Sequence, residues 1–230
     1  MKEFIIGNST LYLGDCREII DNLQFDSIVS DPPYGLSKIL NRSFDDFGKI
    51  RNKKQRSRDL HRGGTWATKE IYQNIDWDNE APDVSFLLER NVPTMLFGGN
   101  YFALPPSRRW IVWDKGAQFH RRTFAEAELC WCSFDGNTRI IQCGIERKKQ
   151  HPTQKPIEVM KFCIGQLPKG SGNIICDPYM GSASTGVAAI QMGRSFIGIE
   201  QKQEYFDIAC QRIKKAYADI GEKMKMAACA

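Results

Sequence analysis

The run Asp26-Ser27-Ile28-Val29-Ser30 reads as a buried strand, and it leads directly into Asp31-Pro32-Pro33-Tyr34. Two successive prolines have no N–H to donate, and each fixes φ at about −65°, so a central ladder cannot continue through them. The strand therefore has to stop and turn its carbonyls outward. An acid, free carbonyls and an aromatic ring then meet at one strand end, which in open α/β sheets is where ligands bind. That set suits a planar substrate carrying an amino group: Asp31 and the Pro32 carbonyl accept its two N–H bonds, and Tyr34 covers its face. A nucleobase has this chemistry. Taken alone, the same four residues read equally well as a strand followed by a Pro-Pro turn.

Further apolar runs alternate with helical patterns. Short strands are expected at Thr10 to Gly14, Thr94 to Phe97, Trp110 to Trp113, Glu128 to Ser133, Asn173 to Cys176 and Phe196 to Ile199. Helices are expected at Cys16 to Leu23, Val84 to Asn91, from Ile157 behind Pro156, at Ser184 to Met192 and at Tyr205 to Ile220. The alternation predicts an α/β fold, a doubly wound and mostly parallel sheet with helices on both faces. The expected organisation is a single catalytic domain over 1–230. Within it, 38–80 lacks sustained periodicity and reads as a basic, partly mobile insertion.

Charge separates that insertion from the rest. The chain of 230 residues carries 32 Lys and Arg against 27 Asp and Glu, a net charge of +5. Residues 35–64 alone hold nine basic against three acidic residues, so the remainder is slightly acidic. A basic run is most often a solvated loop, but its position just after the base-binding turn favours contact with phosphates. The eight cysteines lack metal-ligand spacing and fall mostly in apolar segments, which favours buried free thiols. Three scattered histidines propose no metal site either. No run of 18 apolar residues exists, and the first residues show no signal-peptide pattern, so the reading is a soluble cytoplasmic protein.

Asp177-Pro178-Tyr179-Met180-Gly181-Ser182-Ala183-Ser184-Thr185-Gly186 joins a strand to a helix through small residues, where backbone can approach a ligand closely. Glu200 follows about twenty residues later at the end of the next strand, the place where Rossmann-like folds bind ribose hydroxyls. A Walker phosphate loop and the G-x-G-x-x-G dinucleotide pattern are both absent.

With Asp31 to Tyr34, Gly98 to Phe102, Trp113-Asp114-Lys115, His151 to Pro156, Asp177 to Gly186 and Ile197 to Glu200 in this order, the chain resembles the amino-group (N6-adenine or N4-cytosine) DNA methyltransferases. The resemblance is to the permuted branch, in which the catalytic motif precedes the cofactor loop. It implies a Rossmann-like methyltransferase sheet, S-adenosylmethionine as cofactor, double-stranded DNA as partner, a homodimer as an option, and no membrane or metal. Asp31, Pro32, Pro33 and Tyr34 would form the catalytic turn. Around the cofactor it implies Asp177, Pro178, Met180, Gly181, Ser182, Ala183 and Thr185 at the methionine part, Glu200 at the ribose, and Asp15 near the adenine. Thr153 and Lys155 would close over the carboxylate end, with Asp31 also bordering the cofactor. One departure is visible, since the family commonly has Gly-Ser-Gly where this chain has Gly181-Ser182-Ala183.

Lys53, Lys54, Arg56, Arg58, Arg121 and Arg122 are the expected DNA contacts. An acid at the first position of the catalytic turn is usual for N6-adenine enzymes, so N6 of adenine is the expected target, with N4 of cytosine as the alternative. A methyltransferase acting on RNA or protein glutamine, and a nucleic-acid-binding module without turnover, are the other readings. Methylation at cytosine C5 needs a cysteine nucleophile, usually after proline, and the sequence has no Pro-Cys pair.

Overall fold

The computed structural model describes residues 2–36, 78, 80–117, 125–145 and 154–228. It divides into two compact units, one formed by Met1–Pro32 with Asp83–Ala230 and the other by Pro33–Pro82. In the second unit, the described backbone is tied by Asp78, whose carboxylate accepts from the amides of Gly35 at 2.7 Å and Leu36 at 3.2 Å. Lys53, Lys54, Arg56, Arg58, Arg121, Arg122 and Thr153 lie outside the described residues.

The first unit is built on a sheet of nine described strands: β1 (Lys2–Ile6), β2 (Ser9–Leu13), β3 (Ser27–Ser30), β4 (Thr94–Phe97), β5 (Trp110–Asp114), β6 (Ala127–Cys132), β7 (Arg139–Gln142), β8 (Ile174–Asp177) and β9 (Ser195–Glu200). Their spatial order is β1-β2-β9-β8-β3-β4-β6-β5-β7. β2, β9, β8, β3 and β4 run parallel; β1 and β6 are reversed. All four residues of β3 and of β4 are buried, as expected of strands covered on both faces.

The helices are α1 (Cys16–Ile19), continued by a 3-10 turn at Ile20–Asn22, α2 (Ser85–Leu88), α3 (Ile157–Gly165), α4 (Ser184–Gln191) and α5 (Gln203–Ala228). On one face of the sheet, Cys16, Ile19 and Ile20 pack with Leu87 against Ile28, Leu96, Cys176 and Ile199. On the other, α4 comes so close that a Cβ on Gly186 would meet Phe196 at 2.6 Å and Ile213 of α5 at 2.8 Å. Phe206, Ala209, Ile213 and Ala216 form the buried stripe of α5 at helical spacing. The expected doubly wound, mostly parallel sheet with helices on both faces is the fold observed.

The differences from the sequence reading sit at the edges. β1 and β7 were not expected, because their residues are almost wholly exposed and carry no buried alternation. The expected helix at Val84 to Asn91 is a single turn, stopped as Asn91 takes φ 52° before Pro93. Trp113 is core, with its indole N–H donating to the Cys143 carbonyl at 2.6 Å.

Candidate active site

β3 hands the chain on to β4 on one side, while β8 hands it to β9 on the other. The direction of winding therefore reverses between the adjacent strands β8 and β3, the topological switch point where doubly wound sheets form their crevice. Both strands end there in Asp-Pro, at Asp31-Pro32 and Asp177-Pro178. Ser30 and Asp177 join the two ends, with the Ser30 hydroxyl donating to Asp177 Oδ1 at 2.5 Å.

Asp177 is buried and faces inward. Thr185 donates to its Oδ2 at 2.6 Å and the Tyr179 amide to its Oδ1 at 3.1 Å, so one carboxylate ties the first turn of α4 to the end of β8. Burial pushes its carboxyl up to about 6 against these donors, with the charge of Asp31 adding to the rise. The structure gives Asp177 the work of shaping the loop.

Within that loop Gly181 and Ala183 both adopt positive φ, 49° and 59°. The left-handed region costs a residue with a Cβ roughly 1–2 kcal/mol, so Ala183 carries strain that the Gly of the common pattern would not. Its methyl is wholly buried, which returns about 0.8 kcal/mol. Burial of the methyl thus offsets part of the strain, and Ala183 holds the left-handed conformation. From α5, Arg212 Nη1 donates to the Ser182 carbonyl at 2.5 Å, the Ser182 hydroxyl at 2.8 Å and the Ser184 hydroxyl at 3.3 Å. Gln154 meets the same Ser182 hydroxyl at 3.3 Å. Met180 is buried against β9, where a Cβ on Gly198 would fall 2.3 Å from its sulfur. Gly198→Ala is therefore expected to displace Met180 or Phe196 and lower stability by about 1–3 kcal/mol, read from urea unfolding; an unchanged midpoint would show that the loop has room to move.

Glu200 ends β9 beside this loop. Its carboxylate accepts from the amides of Gly181 at 3.1 Å and Lys202 at 2.8 Å, and burial holds its carboxyl above the ordinary range. One strand over, the Gly14 amide donates to the Glu200 carbonyl at 3.0 Å, and Asp15 caps α1 by accepting from the Arg17 amide at 2.9 Å. Two carboxylates thus flank a small-residue turn at the carboxyl edge. A carboxylate offers about four lone pairs, so both remain competent to accept from hydroxyl or amino groups. That set of acceptors fits a nucleoside bearing an amino-acid side chain: carboxylates for its ribose hydroxyls and amino groups, and backbone without side chains for its close approach.

Asp31 and Pro32 close the first unit, and Pro33 and Tyr34 open the second directly from them. The acid is gripped by a buried lysine. Lys155 Nζ lies 2.5 Å from Asp31 Oδ2, 3.0 Å from Glu128 Oε2 and 5.1 Å from the centre of the Phe97 ring. Lys115 then pairs with Glu128 Oε1 at 2.8 Å. Glu128 arrives there because β6 is reversed, which puts its first residues at the edge where the parallel strands end. Burial alone would raise Glu128 and lower Lys155; the opposite charges prevail, taking Glu128 down to about 2 and holding Lys155 above the usual lysine range. The sequence expectation put Lys155 at the cofactor's carboxylate, whereas its ammonium here contacts Asp31. Glu128, Arg212 and Gln154 were not anticipated. Only the position of Gln154 within His151 to Pro156 hinted at one of them.

A family model described as DNA methylase, of the N6/N4 methyltransferase type, matches residues 49–211. The chain is 45% identical over 154 residues to the type II methyltransferase M2.DpnII of Streptococcus pneumoniae, covering 63% of this chain and 52% of that protein. It is 26% identical over 253 residues to the type II methyltransferase M.HinfI of Haemophilus influenzae, covering 90% of this chain and 68% of that protein. It therefore spans about half to two thirds of these relatives. Among solved structures it resembles the M1.HpyAVI-SAM complex (TM-score 0.52, 23% identity, 89% of this chain and 99% of that one) and the cytosine-N4-specific PvuII DNA methyltransferase (TM-score 0.53, 14% identity, 90% and 86%). At these identities the structures establish a shared fold. With the family match running through more than two thirds of the sequence, on a sheet of the same architecture, the chain belongs to the N6/N4 DNA methylase family.

Proposed function

We propose that the chain transfers a methyl group from S-adenosylmethionine to the exocyclic N6 of adenine in double-stranded DNA, after the base has swung out of the duplex. The observation that carries this reading is Asp31, an acid paired with a buried ammonium at the switch point, one strand away from the Gly181 to Thr185 loop. When bound, S-adenosylmethionine supplies an electrophilic methyl group on sulfur. Glu200 and Asp15 would hold its ribose and adenine, with Pro178, Met180, Gly181, Ser182, Ala183 and Thr185 along its methionine part and Asp177 fixing the loop. Thr153 would stand at its carboxylate end.

The remaining work is done on the base. An exocyclic amine is a poor nucleophile because its lone pair is delocalised into the ring. Hydrogen bonds from its two N–H groups to Asp31 and the Pro32 carbonyl favour a tetrahedral nitrogen, and holding it there supplies orientation and electrostatic stabilisation. Extrusion costs a few kcal/mol of stacking and pairing. Stacking on Tyr34 returns about 1–3 kcal/mol of it, and Pro33 fixes the direction in which that ring leaves the turn.

Residues 1–230 act in this reading as one catalytic domain. Lys53, Lys54, Arg56, Arg58, Arg121 and Arg122 are assigned to phosphate contacts, with 38–80 facing the DNA, in a homodimer or a monomer. The catalytic turn preceding the cofactor loop is the order of the permuted branch. Adenine is favoured by the acid in the first position of the turn; N4 of cytosine presents a similar amine and is the second reading.

The test is incorporation of labelled methyl groups into duplex DNA, followed by digestion and identification of the modified nucleoside. N6-methyl-2′-deoxyadenosine is the expected product, and label on cytosine, RNA or protein alone would overturn the assignment. In the same assay Tyr34→Ala is expected to lose about 10- to 100-fold in turnover and Tyr34→Phe less than about threefold, because the ring face carries the interaction. Equal losses would exclude stacking.

A further inference from the structure

Four charges alternate across the carboxyl edge: Asp31, Lys155, Glu128 and Lys115, joined by contacts of 2.5, 3.0 and 2.8 Å. They come from four separate stretches of chain, the end of β3, the approach to α3, the start of β6 and the residue after β5. No local sequence preference brings them together. The side chain of Lys155 is 5% exposed and that of Glu128 22% exposed, so their charges act through a medium far less screening than water. Glu128 Oε2 is buried and lies 3.0 Å from the Lys155 ammonium, so its negative charge is held directly against that cation.

Resting on the assignment of Asp31 to the target amine, we propose that Glu128 is a positioning residue for methyl transfer. It draws the Lys155 ammonium between two carboxylates, so that Asp31 is held correctly turned without surrendering its acceptor strength to a single cation. A lone Lys155-Asp31 pair would neutralise the acid and weaken its hydrogen bond to the substrate. Lys115 compensates Glu128 in turn, which lets the row of four sit at the edge with no net charge. Asp177, the other acid facing Asp31, is held on its own donors and takes no part in the row.

The experiment compares Glu128→Gln, Lys115→Met and the double variant in the full chain. Turnover is measured against pH, and cofactor affinity by calorimetry without DNA. Glu128→Gln is expected to lower turnover about tenfold and move the acid limb of the profile down by about one pH unit, since Asp31 then feels Lys155 undiluted. Lys115→Met is expected to move that limb upward. The double variant, having lost one charge of each sign, should return most of the way to the wild-type profile. Cofactor affinity should stay within about threefold throughout. Overturning results are an unmoved acid limb in both single variants, a double variant worse than either, or a loss confined to cofactor binding. A wild-type chain that binds cofactor and methylates no nucleobase would instead remove the role of Asp31, and the proposal with it.

Discussion

Asp31→Ala is expected to lower methyl transfer by about 10²- to 10³-fold while cofactor affinity changes by less than about fivefold. The magnitude follows from what the side chain does. Asp31 is the acceptor proposed to be aimed at the amine whose charge develops during reaction, and such groups act mainly on turnover. The cofactor contacts are assigned to other elements: the β8-α4 loop held by Asp177 and Arg212, and the carboxylates of Glu200 and Asp15. None of these depends on Asp31 for its shape, because Asp177 is anchored by Ser30, Thr185 and the Tyr179 amide. Single-turnover methylation with calorimetric titration of S-adenosylmethionine separates the two effects. Equal losses in affinity and turnover would show Asp31 to be a cofactor ligand first, and unchanged turnover would remove it from the chemistry.

Much of this arrangement was legible in the sequence because local rules happened to agree with the global fold. Pro32 and Pro33 end β3 at Ser30, and the small residues of 181–186 let α4 approach the sheet. The strand at 195–200 delivers Glu200 to the loop, as the spacing from Asp177 predicts. What stayed hidden came from long-range pairing. Glu128 reads as an ordinary acid at the head of a strand, and only the reversal of β6 carries it to the edge where Lys155 waits. Arg212 is one of several cations on α5, and nothing in its neighbours marks it as the clamp on Ser182 and Ser184. Lys155 stood out in its motif, but its pairing with Asp31 and Glu128 did not, because a motif gives a residue's presence and not the direction of its side chain. The edge strands β1 and β7 escaped for the opposite reason: they are held by backbone ladders, and their exposed side chains carry no pattern.

The largest effect on stability is expected from Lys155→Met. Methionine fills much of the same space over the Phe97 ring, so packing is largely kept while the charge is lost. Asp31 then loses the Lys155 ammonium, and Glu128 keeps its pair with Lys115. Removing one member of a buried pair costs about 3–5 kcal/mol; about 3 is expected here, because the side chains of Asp31 and Glu128 retain 18% and 22% exposure. The pH dependence gives the sign. In the wild-type chain Glu128 titrates at about 2, below its ordinary 4.5, so its contribution is complete above 4.5 and is lost as pH falls toward 2. In the variant Asp31 loses the Lys155 charge while the neighbouring Asp177 remains, so protonation at this edge costs less than in the wild type. The deficit relative to wild type should therefore be greatest near neutral pH and shrink on acidification through the carboxylate range. Urea unfolding at pH 7 and at about pH 5 reads both stabilities. A deficit below about 1 kcal/mol, or one that does not narrow at the lower pH, would mean that the ammonium is not what keeps the two acids ionised at the edge of the sheet.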